Sequence, residues 1–160
     1  MKTKSLVVSC LLLSVGVVLH ALIPGVTFLG GIKPDFLLAM MILAIYLSPD
    51  FKTALTSGVL AGILSALTTT FPGGQILSLI DKPIAALVTY CLVCAIKQSN
   101  FKLAIITFIG TVVSGIVFVS GAIILSGLNV SSLSLIGFVV FPTAVLNTLL
   151  NSLLRRVIKK

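Results

Sequence analysis

Long apolar runs alternate with short polar breaks along this chain. The runs cover residues 5–23, 34–47, 53–71, 81–97, 103–126 and 133–154. The breaks carry turn chemistry: Pro24-Gly25, Ser48-Pro49-Asp50, Pro72-Gly73-Gly74, the polar stretch Lys97 to Lys102, and Gly127 to Ser132. Pro cannot continue a helix and Gly permits the chain to turn. A helix needs roughly 20 apolar residues to cross the hydrocarbon core, with a working range of about 17–25. Most of the runs meet that length. The second is short, consistent with little tilt or a start in the interface. The fourth has its firmest part at 84–96, and an earlier start would make Pro83 a kink. The pattern predicts an all-α integral membrane protein, a compact six-transmembrane-helix bundle in a single domain over 1–160.

Composition supports this class. Hydrophobic residues make up 58% of the 160 residues, charged residues only 9%, and the mean hydropathy is +1.29. A soluble domain carries about 25% charged residues, so this surface is built for lipid. The first run follows Lys2 and Lys4 like a signal peptide, but it is longer than an h-region and no clear small-x-small cleavage site follows it. It reads as a retained first helix.

Charge then orients the bundle. With the N-terminus in the cytoplasm, the inner segments hold Lys2, Lys4, Lys52, Lys97, Lys102, Arg155, Arg156, Lys159 and Lys160, and the outer segments only Lys33 and Lys82. That is a strong positive-inside bias and places both termini in the cytoplasm. The net charge of +8 is therefore a topology signal. It is not a nucleic-acid patch, because the basic residues sit in short clusters between apolar runs.

Candidate chemistry concentrates on the outer side. Gly31-Ile32-Lys33-Pro34-Asp35 and Ile80-Asp81-Lys82-Pro83 each join a base, an acid and a Pro suited to the first turn of a helix. Each pair reads either as an interfacial cap or as part of a site. On this reading the outer charges balance locally, Lys33 with Asp35 and Lys82 with Asp81. Together they offer what a zwitterion needs: an acid for the ammonium and a base or helix N-terminal amides for the carboxylate. Asn147 is costly in lipid and must face protein or a cavity. Gln75, His20, Ser114, Phe71 and Phe118 complete the candidates.

Other chemistries are missing from the sequence. Cys91-x-x-Cys94 and Cys10 read as small packing residues, since a metal site would need further ligands. The sequence has no phosphate-binding Gly-x-x-x-x-Gly-Lys loop, no His-Glu-x-x-His and no Gly-x-Ser-x-Gly. No acid or base is expected in mid-helix. Ser57, Ala61, Ser65 and Thr69, with Gly58 and Gly62 beside them, form a small-residue face for packing within the bundle or for docking another subunit. The chain is not expected to be an enzyme.

Several stretches resemble the tryptophan transport protein family (TrpP). They are Leu19-His20, the segment from Gly31 through Lys33-Pro34-Asp35 to Met41, the segment from Ser65 through Phe71-Pro-Gly-Gly to Gln75, Ile80-Asp81-Lys82-Pro83, the segment from Ile109 through Ser114 to Phe118, and Pro142 to Asn147. The likeness covers nearly the whole chain. This family is grouped with the substrate-binding S components of energy-coupling factor (ECF) importers. The resemblance implies an S-component-like fold in the plasma membrane of a bacterium, open to the outside. It implies tryptophan as the substrate, with Asp81 or Asp35 on its ammonium and Lys33 or Lys82 on its carboxylate. Asn147, Gln75 or His20 would bond the indole N–H, and Phe71 or Phe118 would lie against the ring. It also implies partners, a membrane coupling protein and two ATPases. The chain itself would bind no cofactor, and ATP would be hydrolysed only on those partners. The first helix offers Ser5, Ser9, Cys10 and Ser14 in place of the alanine-rich face with which S components often dock. Another aromatic amino acid or a vitamin as ligand, or an accessory subunit without ligand, are the competing expectations.

Overall fold

A computed structural model describes residues 3–23, 34–69, 73–126 and 136–158. The described chain is helical: α1 (Thr3–Leu22), α2 (Phe36–Leu47), α3 (Phe51–Thr68), α4 (Gly74–Ala95), α5 (Lys102–Ser126) and α6 (Phe141–Ile158), the last led in by a π-helical turn, Ile136–Val140. Five spans are long and apolar enough to cross a membrane, and α2 is a shorter apolar helix.

The core is built around α2. From Phe36 to Ile45 every side chain is buried, and the helix packs against all five others. Twelve residues rise only about 18 Å, well short of the roughly 30 Å hydrocarbon thickness. A helix that is apolar on every side must be covered by protein or by lipid; here the other helices cover it. Their outer faces carry the exposed hydrophobics, among them Leu11, Leu67, Ile124 and Val157, which suits a lipid surround.

Caps set the helix starts. Asp35 is the N-cap of α2, and its Oδ1 accepts the Leu38 N–H at 3.0 Å. Asp50 caps α3 by accepting the Thr53 N–H at 3.1 Å. That hydrogen bond is the first cause holding the Asp50 carboxyl below its ordinary value. Gly73, at φ 78°, takes the left-handed conformation before α4, where a side chain would be strained.

The fourth helix corrects the sequence reading. It begins at Gly74 and not at 81, so Pro83 lies inside it, past its second turn. Pro83 has no N–H to give the Leu79 carbonyl, the cost that normally excludes Pro from a helix interior. Spanning helices tolerate it when neighbours re-satisfy the backbone. Asp81 and Lys82 are consequently mid-helix and buried, at 1% and 3% exposure. The expectation that no acid or base lies in mid-helix fails here.

Two further contacts fix the layout. A Cβ on Gly62 would lie 2.9 Å from the Ser78 carbonyl oxygen, and one on Gly58 would lie 2.6 Å from the Ala86 Cβ. The α3 and α4 backbones therefore approach too closely for side chains at these points, as the small-residue face predicts for packing within the bundle. At the opposite end, the Arg155 guanidinium donates to the carbonyls of Asn100 and Ser99. This brings the end of α6 beside the α4–α5 turn and gathers Lys97, Lys102, Arg155 and Arg156 at one end of the bundle, the end that the positive-inside rule assigns to the cytoplasm.

Gly62→Ala is expected to destabilise the protein by about 1–3 kcal/mol through overpacking. A Cβ on Gly137 meets nothing within 4 Å, so Gly137→Ala should stay within about 0.5 kcal/mol of the parent. Thermal unfolding of both variants in detergent, read side by side, checks the pair.

Candidate functional site

A cavity of about 340 Å³ opens at the end opposite the basic cluster. Its walls come from the end of α1 (His20), the start of α2 (Pro34, Asp35, Leu38), the end of α3 (Ser65, Thr69) and the first half of α4 (Ser78, Asp81, Lys82). The outer half of α5 (Thr111, Ser114, Gly115, Phe118, Val119) and the start of α6 with its π turn (Val139, Val140, Thr143) complete them. The cavity occupies height that the short α2 leaves unfilled. Small-molecule sites run from about 300 to 1,000 Å³, so this one suits a compact ligand.

Its charged wall is a three-residue bridge. The Lys82 ammonium lies 2.7 Å from Asp35 Oδ2 and 2.9 Å from Asp81 Oδ2. Ser114 Oγ also donates to Asp81 Oδ2. The bridge ties the N-cap of α2 to the middle of α4 and, through Ser114, to α5. Lys82 pairs with Asp81 as expected and also reaches Asp35, 47 residues away in the chain; the expected pairing of Lys33 with Asp35 involves a residue outside the described ones. Asp81 Oδ1 is buried and has no hydrogen-bond partner among the described residues. A buried carboxylate oxygen in that state is expensive.

Of the sequence-predicted candidates, His20, Asp35, Asp81, Lys82, Ser114 and Phe118 all line this cavity. Lys33 and Phe71 lie outside the described residues. Gln75 is placed on α4, one residue after its start, exposed, and does not line the cavity. Asn147 is fully buried but stands behind the wall, where its Nδ2 donates to Thr111 Oγ1 at 3.3 Å. It is an interhelical tie, acting on the site through Thr111.

The sequence reading missed two features. The first is the number of hydroxyls around the cavity: Ser65, Ser78, Thr69, Thr111 and Thr143 join Ser114, with Ser65 Oγ donating to Ser78 Oγ at 3.3 Å. The second is Asn151, fully buried, whose Nδ2 donates to the Ala39 carbonyl at 3.1 Å and to Thr107 Oγ1 at 3.0 Å. The spacing held a signal for it, because Asn147 and Asn151 share a face of α6 at i, i+4 opposite Thr111 and Thr107 at the same spacing on α5. Among the described residues no cluster of His, Cys, Asp or Glu could hold a metal ion. Cys10, Cys91 and Cys94 sit on exposed helix faces.

Comparison with known proteins places the chain. The family model described as "Tryptophan transporter TrpP" matches residues 2–160. A "Probable tryptophan transport protein" of Bacillus subtilis is 46% identical over 151 residues, spanning 93% of this chain and 87% of the relative. Proteins of the same description from Clostridium acetobutylicum and Clostridium perfringens are each 37% identical, over 100% and 99% of this chain and 94% and 92% of theirs. No solved structure matches significantly. The relatives are bacterial transport proteins, and the apolar helices make this chain a multi-pass protein of the plasma membrane, a transporter and not an enzyme. A match over nearly the whole length, together with these relatives, shows that the chain belongs to the TrpP tryptophan transporter family.

Proposed function

We propose that this protein takes up tryptophan, binding it from the outer side in the cavity above α2. We further propose that it does so as the substrate-specificity subunit of an ECF-type importer. The observation that carries the site is Asp81: a buried carboxylate on the cavity wall with one oxygen unpartnered. That oxygen receives the α-ammonium of the amino acid. Phe118, Val119, Val139 and Val140 supply an apolar wall for the indole, where an aromatic pair is worth about 0.5–1.5 kcal/mol beyond its buried area. The hydroxyls of Ser65, Ser78, Thr111 and Thr143 offer neutral partners for the indole N–H and the carboxylate. The relatives' descriptions as tryptophan transport proteins support the choice of ligand.

The subunit reading rests on energetics and on the S-component resemblance. The sequence carries no phosphate-binding loop. In this proposal ATP is hydrolysed on two partner ATPases, a membrane coupling protein transmits the stroke, and this chain holds no cofactor of its own.

Cells expressing the chain should accumulate labelled tryptophan. Saturating tryptophan should also stabilise the purified protein, by about 2.7 kcal/mol at a hundred times Kd, read as a rise in melting temperature. Asp81→Asn should weaken binding about 10- to 100-fold through loss of a charged hydrogen bond. An unchanged affinity in that variant would remove Asp81 from the site.

Vesicles holding this chain alone should bind tryptophan without concentrating it. Addition of the coupling protein, the two ATPases and ATP should start accumulation. Concentrative uptake by the chain alone would sink the subunit reading.

A further inference from the structure

We infer that the site recognises its ligand by the ammonium group and not by the carboxylate, so that an indole-bearing primary amine lacking the carboxylate is a ligand in its own right. This inference rests on the proposed tryptophan site and sets its specificity. The argument begins with the charges on the cavity wall. Among the described lining residues Asp35 and Asp81 face a single Lys82. Within that bridge two carboxylates stand against one ammonium. The Lys82 ammonium has three donors, and two are already directed at carboxylate oxygens at 2.7 and 2.9 Å. An incoming carboxylate therefore meets a cation whose field is more than cancelled by its own two neighbours. An incoming ammonium meets an excess of negative charge.

The hydrogen-bond inventory points the same way. Asp35 uses Oδ1 on the Leu38 N–H and Oδ2 on Lys82. Asp81 uses Oδ2 twice, on Lys82 and Ser114, while its Oδ1 has no partner among the described residues in a side chain only 1% exposed. That oxygen is a pre-positioned acceptor in a low-dielectric wall, where a charge-assisted bond is strong. For the carboxylate the described wall offers, besides His20 at the end of α1, serine and threonine hydroxyls, neutral groups that donate equally well to an uncharged acceptor or to water. Removing the carboxylate strands no charged partner, whereas removing the ammonium leaves Asp81 Oδ1 buried and unpaired.

Titration of the purified full-length chain with three ligands tests this: L-tryptophan, tryptamine (carboxylate absent) and indole-3-propionate (ammonium absent). Tryptamine is expected to bind within about tenfold of tryptophan, and indole-3-propionate about 100-fold more weakly, the difference that one charged hydrogen bond makes. Tryptophan and indole-3-propionate binding while tryptamine does not would overturn the inference and leave the tryptophan site standing. No binding by any of the three would overturn both. The series uses the unaltered protein, so it decides without a variant that must fold. Asp81→Asn then adds a signature: it should weaken tryptophan and tryptamine about 10- to 100-fold and leave indole-3-propionate unchanged or tighter. Equal loss for all three ligands would mean that Asp81 acts only by holding the fold.

Discussion

One ammonium held between two carboxylates organises this protein. Lys82 sits in the middle of α4, where lipid or apolar core would make a bare charge prohibitive, and its contacts with Asp35 and Asp81 make its burial tolerable. The geometry is demanding. The N-cap of α2 must reach the third turn of α4, so the start of the central helix is fixed in height. The α3 and α4 backbones must close at Gly58 and Gly62, or the turn bearing Asp81 and Lys82 would shift. Removing one member of such a group costs about 3–5 kcal/mol, because it leaves uncompensated charge behind. Asp35 therefore serves two purposes with its two oxygens, capping α2 with one and anchoring Lys82 with the other.

Polarity in this bundle runs opposite to that of a soluble domain. Apolar side chains face outward and also fill α2, while the buried hydroxyls of α5 align along one face at Thr107, Thr111 and Ser114, with Phe118 next in line. Spacings of four, three and four keep them on one side of the helix. Each hydroxyl meets a partner from another helix: Asn151 for Thr107, Asn147 for Thr111, Asp81 for Ser114. Interhelical hydrogen bonds of this kind contribute about 0.6 kcal/mol each on average in membranes. Their larger role here is registry. They fix α6 and α4 against α5 so that the cavity residues from three helices converge.

Much of this was legible in the sequence, because the length of an apolar run and the side on which lysines fall are local quantities. Helices α1, α2, α3 and α5 lie within a few residues of their expected bounds, and six candidates converge on one cavity. The errors were non-local. Asp81-Lys82-Pro83 reads as a helix start because a buried acid, base and proline are each unfavourable inside an isolated helix. Their tolerance comes from Asp35, Ser114 and the close α3 backbone, which no sequence neighbour reveals. Adjacency showed the contact of Lys82 with Asp81 but not the one with Asp35, which Lys82 reaches only through folding. Asn147 had to face protein or a cavity, because polarity in a membrane helix implies a partner, and only the fold shows that its Nδ2 reaches Thr111.

The shape of the core also bears on how a bound molecule could reach the other side. Below the cavity lies α2, with Leu37 to Ile45 between 0 and 2% exposed and five helices packed around it, so the static bundle offers no path through its centre. Access from the inner side then needs one of two movements. Helices could separate around α2, which would expose a wholly apolar segment and pull Asp35 from Lys82, breaking the most costly contact in the protein. Alternatively the bundle could move as one body, which leaves the ion bridge, the α3–α4 closure and the asparagine ties intact. The second route asks little of the internal packing and much of an external force. Under the proposed subunit role the partners would supply that force, and the Asp35–Lys82–Asp81 bridge would stay closed throughout.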